Sequence, residues 1–77
     1  MEDEIQRILA EVRPEVDFTA STNFVSDGLI DSYDMIEFIT ELERIFGVMI
    51  DGVEIVPENF ANLTTIRLLV ERSKQAQ

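Results

Sequence analysis

The side chains that could take part in chemistry are concentrated at one point of the sequence, where Ser32 lies between the carboxylates of Asp31 and Asp34. A serine hydroxyl becomes a nucleophile only beside a suitable base, and a carboxylate of ordinary pKa is a poor one. The sequence contains no His and no Cys, which excludes a Ser–His or Cys–His catalytic pair. We therefore interpret Ser32 as a passive attachment point and predict no catalytic residue and no enzymatic activity.

The elements around Ser32 place it at the beginning of a helix. Asp31 or Ser32 is expected to cap that helix, with Asp34 near the capping-box position. The helix should run to Phe46 and end at Gly47. The first turn of a helix has free backbone N–H groups and the positive end of the helix dipole. Both would offset the charge of a phosphodiester attached at Ser32.

Apolar residues at helical spacing predict two further main helices. The first is ended by Pro14, has acids at its N-terminus and is defined by Ile5, Ile8, Leu9 and Val12. The last is capped by Asn62 or Thr64, frays near Ser73 and is defined by Leu63, Ile66, Leu69 and Val70. A proline suits the first position of a helical turn, so a short helix is expected over residues 57–61. The predicted fold class is therefore all-α, a small four-helix bundle with three main helices and one short helix.

Two segments between these helices lack a sustained period. Residues 14–30 contain several apolar side chains, which predicts a long loop that packs onto the core. In residues 47–56 an Asp-Gly pair between apolar triplets is a hairpin signal, but the strands would be very short. We predict instead a connecting loop that places Ile50 or Ile55 in the core. The five phenylalanines are also expected to be core residues: Phe18, Phe24, Phe38, Phe46 and Phe60.

Length and charge limit the class of protein. The sequence makes one small domain, residues 1–77, and six basic against sixteen acidic side chains give a net charge of −10. Such a charge repels nucleic acid and anionic lipid, so basic protein surfaces are the expected partners. No apolar run is long enough to span a membrane, and the acidic start Met1-Glu2-Asp3-Glu4 is unlike a secretion signal. We expect a cytoplasmic monomer.

The acidic residues around Ser32 do not predict a metal site. Asp27, Asp31, Asp34 and Glu37 lack the glycine and the closing glutamate of an EF-hand loop at the required offsets. Without His or Cys, a common zinc site is not expected either. A solvated acidic face is the better interpretation of these side chains. A serine after an aspartate at a helix start is, by itself, most often only part of a cap.

A longer pattern around these residues resembles that of the acyl and peptidyl carrier proteins. Their motif is Asp-Ser-Leu after a glycine and an apolar pair, whereas this sequence has Tyr33 in place of the leucine. The resemblance covers most of the chain, with helix spacing and loop order in register. The residues that carry it are Gly28, Leu29, Ile30, Asp31, Ser32, Asp34, Glu37, Leu42, Glu43, Phe46, Gly47, Pro57, Glu58, Asn59, Phe60, Thr64, Thr65 and Ile66.

The resemblance implies a covalent group on Ser32. A phosphopantetheinyl transferase would transfer 4′-phosphopantetheine from coenzyme A to this serine, and the thiol of the arm would hold acyl or aminoacyl groups as thioesters. Asp31 matches the acid of the motif, which helps to present the serine to the transferase and its metal. Tyr33 is large and apolar like leucine, so we expect it to alter partner preference rather than prevent the modification.

The outward face of the second helix is the predicted partner surface. Tyr33 and Ile36 are apolar residues rimmed by acids, an arrangement suited to basic partner enzymes. Besides the transferase, the resemblance implies an acyl- or aminoacyl-loading ligase (an adenylating enzyme) and a downstream synthase or transferase with basic docking surfaces. The predicted docking residues are Tyr33, Met35, Ile36, Glu37, Thr40, Glu41 and Arg44.

The cargo and the prosthetic group leave alternatives open. Bulky Phe38 and Phe60 at inward positions favour a short acyl or aminoacyl group left exposed on the arm over a buried fatty-acyl chain. The pathway stays open between fatty-acid, D-alanyl and secondary-metabolite carriers, and the acidic start favours a free-standing carrier. The alternative function is an acidic helical docking module without a prosthetic group.

Overall fold

The structure is a computed structural model that describes residues 1–76, and three α-helices form its frame. Helix α1 covers Glu2–Val12, α2 covers Ser32–Phe46 and α3 covers Leu63–Gln75. Short 3₁₀ turns lie in the connections, and no strand occurs in the described residues. The predicted all-α class is confirmed. The 3₁₀ turns are Phe18–Ala20, Gly52–Glu54 and Pro57–Phe60, the last of which is the predicted short helix.

The expected signals end the first two helices. Helix α1 stops where the Arg13 N–H donates to the Leu9 carbonyl, and Pro14 cannot continue the helix. Helix α2 ends at Gly47, whose φ of 65° lies in the left-handed region that glycine adopts without strain. The longest helix, α2, has 15 residues. No helix in residues 1–76 is long and apolar enough to cross a membrane.

The end of α3 differs from the prediction. Fraying was expected near Ser73, but the helix continues to Gln75 and Ser73 is buried. The Ser73 hydroxyl donates to the Leu69 carbonyl at 2.8 Å, so its polar atom is satisfied within the helix. Packing of this face against the rest of the molecule keeps the last turn helical, although its residues are polar.

The hydrophobic core lies between the three helices and includes residues from both loops. Phe38 of α2 and Phe60 of the last 3₁₀ turn are fully buried, with ring centroids 6.4 Å apart and an interplanar angle of 86°. Edge-to-face packing of this kind adds to the free energy gained by burial. The buried apolar residues are Ile5, Ile8, Leu9, Phe24, Ile30, Phe38, Ile39, Leu42, Val48, Ile50, Phe60, Ile66, Leu69 and Val70.

Two of the five phenylalanines lie at the edge of the core rather than within it, which corrects the prediction. Phe18 is half-buried and packs edge-on against Phe24, with ring centroids 5.1 Å apart. Phe46 is half-buried near the end of α2, where the Lys74 ammonium is 5.7 Å from its ring centroid. Both rings cover the core from outside.

Both long connections pack onto the core as predicted. In the first, the buried Phe24 donates its backbone N–H to a carbonyl just before α3 at 2.7 Å, which ties the loop to that helix. In the second, Ile50 is 8% exposed and Ile55 is 38% exposed, so Ile50 is the residue that enters the core. The Asp-Gly pair forms the turn Gly52–Glu54, with Asp51 as its cap, instead of a hairpin.

Replacing Phe60 by alanine tests the placement of the core. Phe60→Ala removes a fully buried ring, and such truncations cost about 3–5 kcal/mol of unfolding free energy. A domain has roughly 5–15 kcal/mol in total, so the urea midpoint followed by circular dichroism should fall sharply. Phe18→Ala, at a half-buried ring, is the matched control and should lose clearly less. Equal losses in the two variants would contradict this core.

Candidate attachment site at the start of helix α2

Ser32 is the first residue of α2, and its side chain is exposed. Its hydroxyl makes no hydrogen bond to any group in residues 1–76. The backbone N–H groups of Ser32 and Tyr33 belong to the first turn, where the helix itself supplies no acceptor. The helix start therefore combines a free hydroxyl with two N–H groups that have no partner in the described chain.

The cap of α2 is made by Asp31 and not by Ser32. Oδ1 of Asp31 accepts the backbone N–H of Asp34 at 2.9 Å, and Oδ2 of Asp34 accepts the backbone N–H of Asp31 at 3.1 Å. This reciprocal pair is the predicted capping box. Because Asp31 is the cap, the hydroxyl of Ser32 is left free to form a bond to another group.

Asp34 also binds Arg13, which the sequence analysis did not identify as a functional residue. Nη1 of Arg13 donates to Oδ2 of Asp34 at 2.6 Å, and its Nε donates to Glu15 at 2.9 Å. Both side chains of the Arg13–Asp34 pair are partly buried. The pair joins the end of α1 to the start of α2. No local pattern reveals it, because the two residues are 21 positions apart.

The surroundings of Asp34 lower the pKa of its carboxyl group. Partial burial alone would raise this pKa, but the hydrogen bond from the Asp31 N–H and the Arg13 guanidinium outweigh that effect. The pKa of Arg13 is raised in turn, chiefly by its hydrogen bond to Asp34. Both members of the pair are therefore charged at neutral pH.

Main-chain bonds hold the segment that leads into α2. The Phe24 carbonyl accepts the N–H groups of Leu29 at 2.8 Å and of Ile30 at 3.3 Å. Gly28 has a φ of 75°, so any other residue would strain the turn at this point. Ile30 is buried in the core. These constraints fix where α2 begins and so where Ser32 lies.

Most of the predicted docking residues lie on the exposed side of α2. Tyr33 is 82% exposed and Ile36 is 64% exposed. Glu37, Thr40 and Arg44 are also exposed, and the Thr40 hydroxyl donates to the Ile36 carbonyl one turn earlier. The two apolar side chains are therefore accessible to a partner and lie close to Ser32 along the helix.

Met35 and Glu41 are less accessible than the rest of the predicted surface. Met35 is half-buried and packs against the hydrophobic core, so only part of its side chain is available to a partner. Glu41 is half-buried and accepts two hydrogen bonds from Arg44, at 2.9 Å and 2.8 Å. Its charge is neutralised locally, which lowers the pKa of Glu41, chiefly through these hydrogen bonds.

The carboxylates near Ser32 are dispersed. In the part of the chain that the structure describes, no group of three or more His, Cys, Asp or Glu side chains could hold a metal ion. Asp27 accepts the hydroxyl of Ser21 at 2.6 Å, and Asp34 is bound to Arg13. The carboxylates of Asp27 and Asp34 are therefore engaged with neighbouring side chains of the protein.

The fold and this site together define a class, a small helical domain with an exposed serine at a helix start. The chain matches the family described as the phosphopantetheine attachment site over residues 3–73, and it belongs to that family. Members carry covalently attached 4′-phosphopantetheine, so the resemblance to acyl and peptidyl carrier proteins is confirmed. A search of curated proteins and a search of solved structures each found no match.

The residues at the start of α2 fit such a group. The exposed hydroxyl of Ser32 would supply the oxygen for a phosphodiester. The N–H groups of Ser32 and Tyr33, at the positive end of the helix dipole, suit its negative charge. Arg13 is already bound to two carboxylates and is not needed to neutralise the phosphodiester.

Lowering the pH tests the Arg13–Asp34 pair. The fold holds the pKa of Asp34 below its ordinary value of 3.8, so this side chain stabilises the protein above that pH. The contribution is lost as the pH falls through the lowered folded-state pKa. Asp34→Asn keeps an acceptor for the cap and should be less stable at pH 7 by about 1 kcal/mol in urea unfolding. The difference should disappear at acid pH, and a difference independent of pH would contradict the pairing.

Proposed function

We propose that this chain is a carrier protein whose 4′-phosphopantetheine is attached to Ser32 and delivers acyl or aminoacyl groups as thioesters to partner enzymes. The division of roles at the start of α2 supports this most strongly: Asp31 caps the helix, and the Ser32 hydroxyl is exposed and unbonded. When bound, the arm supplies a thiol, which a chain without cysteine lacks. Carrier domains are generally not enzymes themselves, and we assign no catalytic residue.

The residues next to Ser32 have separate roles in this proposal. The N–H groups of Ser32 and Tyr33 stabilise the negative charge of the phosphodiester. The cap uses Oδ1 of Asp31, so Oδ2 is available to help present the serine to the transferase and its metal. Tyr33, in the place of the motif leucine, is exposed and contributes to partner contacts rather than to the core.

The partner enzymes dock on the exposed side of α2 through apolar contact and charge. They are the phosphopantetheinyl transferase, a loading ligase or adenylating enzyme, and a downstream synthase or transferase, each with a basic surface. A net charge of −10 favours fast, weak, salt-sensitive association with such surfaces. The monomeric state and the cytoplasmic location stay predictions. The proposed docking residues are Tyr33, Met35, Ile36, Glu37, Thr40, Glu41 and Arg44.

The cargo proposed for the arm is a short acyl or aminoacyl group that stays outside the bundle. The rings of Phe38 and Phe60 are fully buried and pack edge to face between α2 and the last 3₁₀ turn. A long chain could enter this region only by displacing a ring, which costs the packing and burial that the ring provides. This favours D-alanyl, aminoacyl or secondary-metabolite pathways over fatty-acid synthesis.

Loading by a transferase tests the attachment site. Intact mass is measured before and after incubation with coenzyme A and a promiscuous phosphopantetheinyl transferase. The wild type should gain one phosphopantetheine, and Ser32→Ala should gain none because its acceptor oxygen is missing. Ser26→Ala is the matched control, since it removes an exposed serine in the preceding loop. This variant should load like the wild type.

The opposite result would support the alternative function. A folded wild type that gains no group, with Tyr33→Leu equally unreactive, would favour an acidic docking module that carries no prosthetic group. Loading that survives in Ser32→Ala would assign the attachment to another residue.

A thermal shift measurement tests the cargo. Because no acyl chain is expected to enter the core, a long fatty-acyl group on the arm should raise Tm by less than about 2 °C over the acetyl-loaded form. Both loaded forms are compared by calorimetry at the same concentration. A rise above about 5 °C would demonstrate chain burial and return fatty-acid synthesis as the better proposal.

A further inference from the structure

A second feature of the docking side lies between the first two helices. A shallow groove of about 460 Å³ runs along the contact of α1 and α2. Its apolar part comes from Val12 of α1, which is half-buried, and Ile36 of α2, which is exposed. The groove is lined by Glu11, Val12, Ile36, Glu37, Thr40 and Glu41.

The carboxylates along this groove differ in whether they are neutralised. Glu41 holds Arg44 through two hydrogen bonds, and Asp34, one turn before Glu37 on α2, holds Arg13. The side chains of Glu11 and Glu37 make no hydrogen bond and no ion pair within residues 1–76, and the one cation that acts on Glu11 is Arg44, at longer range and already bound to Glu41. One of them lies on each helix, and both are exposed. Two carboxylates without a hydrogen-bonded cation therefore flank the apolar part of the groove.

We propose that this groove receives one arginine or lysine side chain of the phosphopantetheinyl transferase that modifies Ser32. The aliphatic stem would lie against Val12 and Ile36, and the cation would lie between Glu11 and Glu37. Basic side chains combine an apolar stem with a charged head in this way, and charge-assisted hydrogen bonds to carboxylates are strong. The inference rests on the proposed function and adds α1 to a docking surface otherwise confined to α2.

The position of the groove suits an enzyme that acts directly on Ser32, as the transferase does. Ile36 is four residues after Ser32, about one helical turn along α2, which corresponds to roughly 5–6 Å. A side chain held there would anchor the enzyme next to the serine. A purely apolar ligand would leave the carboxylates of Glu11 and Glu37 partly desolvated without a partner, which is costly. Charge complementarity thus selects a basic side chain as the occupant.

The test compares two single charge removals on the same helix. Glu11→Gln removes the carboxylate at the groove, and Asp3→Asn removes an exposed carboxylate two turns earlier on α1. The KM and kcat for loading Ser32 with a phosphopantetheinyl transferase are measured at low and high salt. Glu11→Gln should raise KM about two- to fivefold at low salt with kcat unchanged. Asp3→Asn should change KM by less than about 1.5-fold.

Reversing the charge at Glu11 and raising the salt concentration give two further measurements of KM. Glu11→Lys should raise KM more than Glu11→Gln, and both effects should shrink at high salt because exposed charges are screened. Equal KM values for Glu11→Gln and Asp3→Asn would overturn the proposed role of the groove while leaving the carrier function intact. A wild-type chain that is not loaded at all would overturn both. Circular dichroism of each variant checks that the helices are intact.

Discussion

One carboxylate organises the functional end of this molecule. Asp34 accepts the N–H of Asp31 and the guanidinium of Arg13, so a single side chain completes the capping box and joins α1 to α2. Because Asp31 and Asp34 form the capping box between them, Ser32 is not required as a cap. Its hydroxyl can then be exposed at the first position of a helix whose orientation is fixed by the neighbouring helix. An attachment serine that also served as the cap would lose that role on modification.

The basic side chains are engaged mainly in internal contacts, and this shapes the outer surface. Arg67 binds Glu2 and Glu71, and Arg72 binds Glu54, so cations of α3 connect that helix to the start of the chain and to the second loop. Exposed pairs of this kind add little to stability. Their consequence is electrostatic, because few cations remain to offset the carboxylates of α1 and α2. The net charge of −10 is therefore carried largely by the outer surface, which suits the basic partners that we propose.

The features of the fold that depend only on neighbouring residues could be predicted from local sequence signals. The capping box at Asp31, the end of α2 at Gly47 and the entry of a loop isoleucine into the core all follow from residue type and spacing. The helical end of α3 at Gln75 and the edge positions of Phe18 and Phe46 depend on tertiary packing, which periodicity does not contain. The ion pair of Arg13 and the groove at Glu11 were missed for the same reason: each joins helices that are distant in sequence.

The most direct test of the carrier assignment is the mass of this protein purified from growing cells of its source, followed by fragmentation to locate any added group. The account predicts a chain that carries one phosphopantetheine, with the group on the fragment containing Ser32 and absent from the fragments on either side. A chain recovered wholly unmodified, or modified at a residue other than Ser32, would contradict it.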